Sequence, residues 1–407
     1  FSSEHLAILA SAPPTSRHEG RKSFLFLVNV AESVNRAELE IVIEHETGDS
    51  PRSFTFGGPS SQDFWLNFCI FLAFERSATV KAVWPVVPHT CTVPERLREK
   101  GRGVFLACKK EETDPYTLSW LENFLAPQNW QSRVPSPEGV GARIQLRYKS
   151  RFMPAVVDVA VDAPPFDGPN LFERRPGRTE GLVAMAETQS AQPSRCVSVS
   201  SLGGENAPVL GLARSDGRVS LLILGELPLP PLQRKTPSAS SVSSSAPSAF
   251  VAETVSCEWE EEGEALESPA ESGGAARVLQ ISAVPAGGPG EALVCGTKGA
   301  WVISIPWLSA LDGTEEGEDG QMDALGGQAL AASVRGALLL SPVDNRVRLG
   351  GVFWMPPWNE GGCVSPIFLT HTNEEEGKGM VAKVSVREVN SLGGKDGDRV
   401  GGGRRPF

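Results

Sequence analysis

The chain has 407 residues, of which 40% are hydrophobic and 21% charged, and carries a net charge of −11. That acidic balance argues against a backbone-driven nucleic-acid binder, which needs a basic face, so no direct nucleic-acid partner is expected. The longest apolar stretch, FWLNFCIFLAF over 64–74, contains Asn67 and is too short to cross a bilayer, which leaves no expectation of membrane insertion.

Short apolar runs punctuated by turns begin at once. SFLFLVNV (23–30) and ELEIVIEH (38–45) come first, then FCIFLAF (68–74) and ATVKAVWPVV (78–87), joined by ERS. TLSWLENFLAP (117–127) places Leu118, Leu121, Phe124 and Leu125 at helical spacing and predicts a helix with Thr117 as N-cap. PAVVDVAVDAPP (154–165), GLVAMAE (181–187) and CVSVSS (196–201) resume the strand pattern. In APVLGLARSDGRVSLLILGEL (207–227), Asp216-Gly217 between two apolar runs is the sharpest hairpin signal in the chain.

A Pro- and Ser-rich tract at 227–249, an acidic run at 258–274 and a smaller acidic run at 312–320 interrupt the pattern. Such compositions bury too little apolar surface to offset ordering entropy. The segments 227–276 and 312–334 are therefore expected to be inserted loops, partly disordered. The Ser tract reads as a solvated spacer in preference to a target of phosphorylation. Between them, Ala292–Cys295 and Trp301–Ile305 flank the turn residues 296–299 and predict a hairpin that closes on Ile305-Pro306-Trp307-Leu308. A second short helix is expected over 321–336, and strands at ALLLSPV, GGVFWMP, SPIFLTHT and MVAKVSV. Residues 391–407 are a Gly/Arg-rich tail expected to be disordered. A chain that starts at Phe1 and ends GGGRRPF reads as a fragment, and it opens on no basic segment followed by an apolar one of the signal-peptide kind.

More than a dozen short strands with few short helices predict an all-β fold. The Gly-His and Trp-Asp signatures of common propeller repeats are missing. Seven cysteines without a C-x-x-C pair read as reduced, buried thiols.

Chemistry is harder to find. The five histidines, His5, His18, His45, His89 and His371, share no ligand spacing, and His89 after Pro88 reads as a turn residue. The glycine-rich stretch 393–403 does not link a strand to a helix, and no G-x-S-x-G occurs. Carboxylates cluster in loop runs. No catalytic, cofactor-binding or metal residue is assigned, no cofactor is expected, and the chain is read as no enzyme. Trp84, Trp301, Trp307, Trp354 and Trp358 are expected in the core.

Three stretches carry a family resemblance. FTFGGPSSQDFWLNFCIFLAFERSATVKAVWPVVP (54–88) resembles a pattern of turn, Trp and hairpin ending in Cys-Pro-Val-Val-Pro, with Trp84 in place of the Cys. ALVCGTKGAWVISIPWLSAL (292–311) looks like that family's hairpin before a short helix and an acidic loop, and RLGGVFWMPPWNEGGCVSPIFLTHT (348–372) is similar to a later strand pair. Together they resemble, in order and spacing over about 54–390, the eighty-eight-type nucleoporin family (Nup-eighty-eight) of the cytoplasmic face of the nuclear pore. The resemblance implies a seven-bladed β-propeller over residues 1–390, with a C-terminal coiled-coil part that this fragment lacks. It also implies a structural scaffold of the nuclear pore complex that anchors Phe-Gly-repeat nucleoporins and reaches the export receptor indirectly. Such a scaffold supports mRNA export and exportin-dependent protein export. One Phe-Gly dipeptide, Phe56-Gly57, does not make the chain a repeat filament itself. The segments 227–276, 312–334 and 85–103 are the expected contact elements. An unrelated propeller adaptor, and a propeller hydrolase or lectin with His, Asp or Glu converging on the channel, are the alternatives.

Overall fold

In the computed structural model, the structure describes residues 5–11, 21–32, 36–46, 48–58, 63–111, 113, 115–134, 142–149, 154–162, 195–203, 208–230, 246–257, 278–283, 290–296, 299–308, 332–339, 347–355, 365–372 and 382–385. The first sheet joins β1 (His5–Ser11), β2 (Arg21–Asn29) and β3 (Ala37–His45), all antiparallel. The second begins with β4 (Pro51–Phe56), β5 (Ile70–Phe74) and β6 (Val80–Trp84). The chain then leaves that sheet for an insertion: β7 (Thr90–Pro94), α1 (Glu95–Lys110), α2 (Pro115–Phe124), β8 (Trp130–Val134) and β9 (Arg143–Arg147). β7, β9 and β8 form their own small sheet. The chain returns as β10 (Ala155–Asp158), which pairs with β6 and completes the second sheet.

β11 (Ala160–Asp162) follows at once but belongs to the third sheet, where it pairs in parallel with β15 (Ser248–Ser256). That sheet is otherwise an antiparallel meander of β12 (Cys196–Ser201), β13 (Val209–Arg214), β14 (Arg218–Leu224) and β15. The fourth runs β16 (Val278–Ala283), β17 (Glu291–Gly296), β18 (Gly299–Ser304) and β19 (Ser333–Leu339). The fifth runs β20 (Val347–Met355), β21 (Ser365–Thr372) and β22 (Ala382–Ser385). The inner strands β4, β12, β16 and β20 touch in succession, so the second to fifth sheets are set around a common centre, and the first packs on the second. The expectation of seven blades reaches into residues outside the described ones.

The radial arrangement explains the apolar runs. On β5, Ile70, Leu72 and Phe74 pack with Leu25, Leu27, Ile41 and Ile43 of the first sheet. Their neighbours Phe71 and Ala73 face Leu210, Leu212, Leu222 and Leu224 of the third. A blade flanked by blades buries both faces, so its strands read as unbroken hydrophobic runs rather than alternating ones. The third sheet repeats this: Val209, Val219 and Leu221 turn toward Ile281, Val294, Trp301 and Ile303 of the fourth. On β13 the close approach needs Gly211, because a Cβ there would lie 2.6 Å from both Ile281 Cδ1 and Leu202 Cδ1.

Several elements differ from the sequence reading. The helix expected from Thr117 starts at Pro115, and Thr117 lies buried inside it rather than capping it. Pro suits that first turn because no helical partner awaits its missing N–H. The run 154–165 is two strands in two sheets, and 68–74 divides into a 3-10 turn at Trp65–Phe68 and β5. Within 321–336, Ser333 onward is strand, so the C-terminal end of that expected helix is replaced by β19; residues 321–331 lie outside the described ones. β15 lies inside the segment 227–276 read as a loop. Its apolar side chains Val251 and Val255 are buried despite the Ser-rich flank. GLVAMAE at 181–187 and the tail 391–407 lie outside the described residues.

Candidate interaction surfaces

A cavity of about 440 Å³ opens where the inner strands converge, lined by Arg52, Ser53 and Thr55 of β4, Ser198 and Ser200 of β12, and Gln280 of β16, among others. Hydroxyls on one strand bond the exposed edge of the next. Ser53 Oγ accepts the Val199 amide at 3.2 Å, and Thr55 Oγ1, two residues on, accepts Ser201 N–H at 3.0 Å. Ser198 Oγ in turn accepts Ile281 N–H at 3.3 Å. The period of two puts Ser53 and Thr55 on one side of β4, and their small size lets backbones approach. Among the described residues the lining holds no His, Asp or Glu, and no group of three His, Cys, Asp or Glu could hold a metal ion.

Away from the axis, two single carboxylates join neighbouring blades. Asp63, 6% exposed, accepts Trp65 N–H at 2.7 Å and Leu66 N–H at 3.3 Å through Oδ1, and Leu227 N–H at 2.7 Å through Oδ2. Burial pushes its carboxyl above the usual range, against the pull of those three amides. Beside it, Trp84 Nε1 donates to the Pro228 carbonyl at 3.2 Å. The start of the expected 227–276 loop is thereby fixed to the second blade. Glu253 Oε2 accepts both Trp307 Nε1 at 3.1 Å and Ala332 N–H at 2.8 Å. The Trp307 side chain of the Ile-Pro-Trp-Leu tail therefore lies buried against the third blade. This bond and that from Ala332 tie the described part of 312–334, residues 332–334, to that blade as well.

The segment 85–103 runs from the second blade into the insertion. Val86 and Val87 are buried. His89 does sit in a bend: its amide donates to Glu38 Oε2 at 3.0 Å and its carbonyl accepts Tyr148 N–H at 2.9 Å. α1 follows Pro94, and the first amide, Glu95 N–H, bonds the Ala142 carbonyl at 2.8 Å. Leu97, Gly101 and Cys108 form its buried side, and a Cβ on Gly101 would lie 2.6 Å from Leu125 and 2.9 Å from the Phe64 ring. Beneath lies an aromatic cluster, with Trp120 stacked on Phe124 at 5.5 Å and on Trp65 at 5.9 Å. Trp84, Trp301 and Trp307 are core residues, while Trp358 and the Trp354 side chain lie outside the description.

The described cysteines, Cys69, Cys91, Cys108, Cys196, Cys257 and Cys295, are all buried free thiols; Cys363 lies outside the description. Burial pushes Cys196, Cys257 and Cys295 up to about 12. No helix among the described residues is long and apolar enough to cross a membrane.

Comparison with solved structures places this geometry among known ones. A chain of the Chaetomium thermophilum heterotrimer of Nup82 N-terminal domain, Nup159 tail and Nup145N APD superposes with a TM-score of 0.54. Identity is 14%, over 90% of this chain and 71% of that one. A chain of the yeast Nup82–Nup159–Nup116 nucleoporin complex gives 0.51 at 11% identity, over 90% and 69%. The fold is a β-propeller. No family model matches the sequence, and no curated protein matches it. Within this propeller, the sequence had pointed to Trp84 and to the tail at 305–308. It gave no sign of Asp63 or Glu253, whose partners lie 164 and 79 residues away.

Proposed function

We propose that this chain is the propeller portion of a nucleoporin scaffold at the cytoplasmic face of the nuclear pore complex. It holds Phe-Gly-repeat nucleoporins and thereby supports mRNA export and exportin-dependent protein export. The observation that carries the reading is the match of 90% of the chain to chains of two fungal nucleoporin heterotrimers. The collinear stretches at 54–88, 292–311 and 348–372 support it independently of that match.

The work of such a scaffold is positional. Blades buried on both faces make a stiff ring, and its loops and insertion offer fixed places on which helices or extended segments can dock. Each contact is modest, so retention depends on several acting together.

The test is capture. The purified chain is mixed with Phe-Gly-repeat nucleoporins that carry their own C-terminal anchoring segments and run on a sizing column, and a fluorescent fusion is imaged in cells. Co-elution and a nuclear-rim signal are expected. Separate elution together with a diffuse signal would overturn the assignment.

A further inference from the structure

The insertion carries a basic helix. α1 holds six Lys or Arg against two Glu, in a chain of net charge −11. Its inner side is spent on Leu97, Gly101 and Cys108. On the outer side Arg96, Arg102, Ala107, Lys109 and Lys110 are exposed, as is Leu106 at 57%; Glu99, also exposed, lies on the same side two turns before Leu106. Arg102, Leu106 and Lys110 follow at four-residue steps, with Lys109 three beyond Leu106, so they share one stripe. Among the described residues no ion pair involves Arg102, Lys109 or Lys110.

An exposed leucine with Arg102, Lys109 and Lys110 about one turn from it has a specific complement. We propose that the outer stripe of α1 is a docking surface for an acidic segment bearing leucine-like side chains at helical spacing, laid along the helix with its apolar residues on Leu106 and its carboxylates on Arg102, Lys109 and Lys110. Charge complementarity selects the occupant. Opposite charge draws the segment to the stripe as well as holding it there. Leu106 supplies the apolar contact that a purely ionic surface lacks, and it sits at the centre, where exclusion of water strengthens the pairs around it. The inference names one partner chemistry for the scaffold role proposed above and rests on that reading only for its cellular meaning.

The probe is a fluorescein-labelled peptide of about twenty residues, glutamate throughout except for leucine at every fourth position, with a lysine–leucine peptide as its opposite. Fluorescence anisotropy is read with the full chain. Binding of the glutamate peptide is expected, weakened at least about tenfold by Leu106→Ser and by the pair Arg102→Glu, Lys109→Glu, and weakened by added salt. All three positions are exposed, and circular dichroism of each variant confirms that the ring is intact. Unchanged affinity in both variants, or equal binding of the lysine peptide, would overturn the proposal. So would displacement of the glutamate peptide by a single-stranded oligonucleotide or by phosphatidylserine vesicles at equal concentration, since the stripe would then be a general polyanion site. Nucleoporin capture separates the two readings. If the native chain and both variants retain nucleoporins equally and the peptide does not bind, only the α1 surface fails; if the peptide binds but no nucleoporin is captured, only the pore assignment fails.

Discussion

Val159 and Ala160 are consecutive, yet their amides serve different blades: Val159 N–H donates to the Val80 carbonyl at 2.9 Å and Ala160 N–H to the Pro247 carbonyl at 2.8 Å. The strand that closes the second blade thus becomes, one residue later, the outer strand of the third. Replacing Ala160 with Pro removes the second bond and restricts its neighbour. We expect about 2–3 kcal/mol of destabilisation in urea denaturation, with faster amide exchange along β15. Unchanged exchange there would show that the stitch carries no tension between blades.

Asp63 makes a second prediction with a defined pH sign. Asp63→Ala leaves three buried amides without acceptors and should cost about 2–4 kcal/mol. The folded carboxyl lies above its unfolded value, so protons bind the folded state more tightly. Its contribution is therefore full below the unfolded value of 3.8 and declines as pH rises through the raised folded value. Asp63→Asn does not titrate, and its stability profile should lack that decline. Parallel profiles of the two proteins from pH 4 to 7 would contradict the assignment.

The hydroxyls of the inner strands predict small, additive effects. Ser53→Ala and Ser198→Ala each remove one acceptor from a neighbouring strand and should cost about 1 kcal/mol. They act on different blade pairs, so the double variant should equal their sum within about 0.5 kcal/mol. The amides of Val199 and Ile281 should exchange faster, each in its own variant only.

Gly101 sets two effects against each other. In the interior of an exposed helix Ala in place of Gly gains about 1 kcal/mol. Here the added Cβ meets Leu125 and the Phe64 ring, the latter held by Trp65 and Phe68 around it. Overpacking of that kind costs about 1–3 kcal/mol, so Gly101→Ala should destabilise the chain. A raised melting temperature would show that the ring yields.

The thiols give a chemical check. With Cys295 pushed up to about 12 by burial, its thiolate at pH 8 is scarcer by about a thousandfold than that of an ordinary cysteine. Iodoacetamide followed by peptide mapping should leave Cys69, Cys196, Cys257 and Cys295 unmodified in the native chain and modify all four in guanidinium.

The strand runs were legible in the sequence where both faces are buried, since β5 and β13 present apolar side chains to two blades at once. The Asp216-Gly217 turn was legible for a local reason: Gly217 adopts φ of +87°, and Asp216 Oδ1 accepts the Arg218 amide at 3.1 Å. α1 escaped notice because Gly101 stands where a large apolar residue would mark the inner side, and its complement, Phe64, comes from another element. β15 was obscured by its Ser- and Pro-rich approach. Carboxylates such as Asp63 and Glu253 look like any other acid until distant amides are brought to them.

Trp84 and Ala155 face each other across β6 and β10, so the insertion departs and rejoins at a single register step. Lengthening or trimming 90–147 would not shear the blade that carries it. What restrains such drift is the aromatic cluster, in which Trp65 of the ring stacks on Trp120 of the insertion. Through that stack, ring and insertion share one core, so that removing the insertion would bare Trp65.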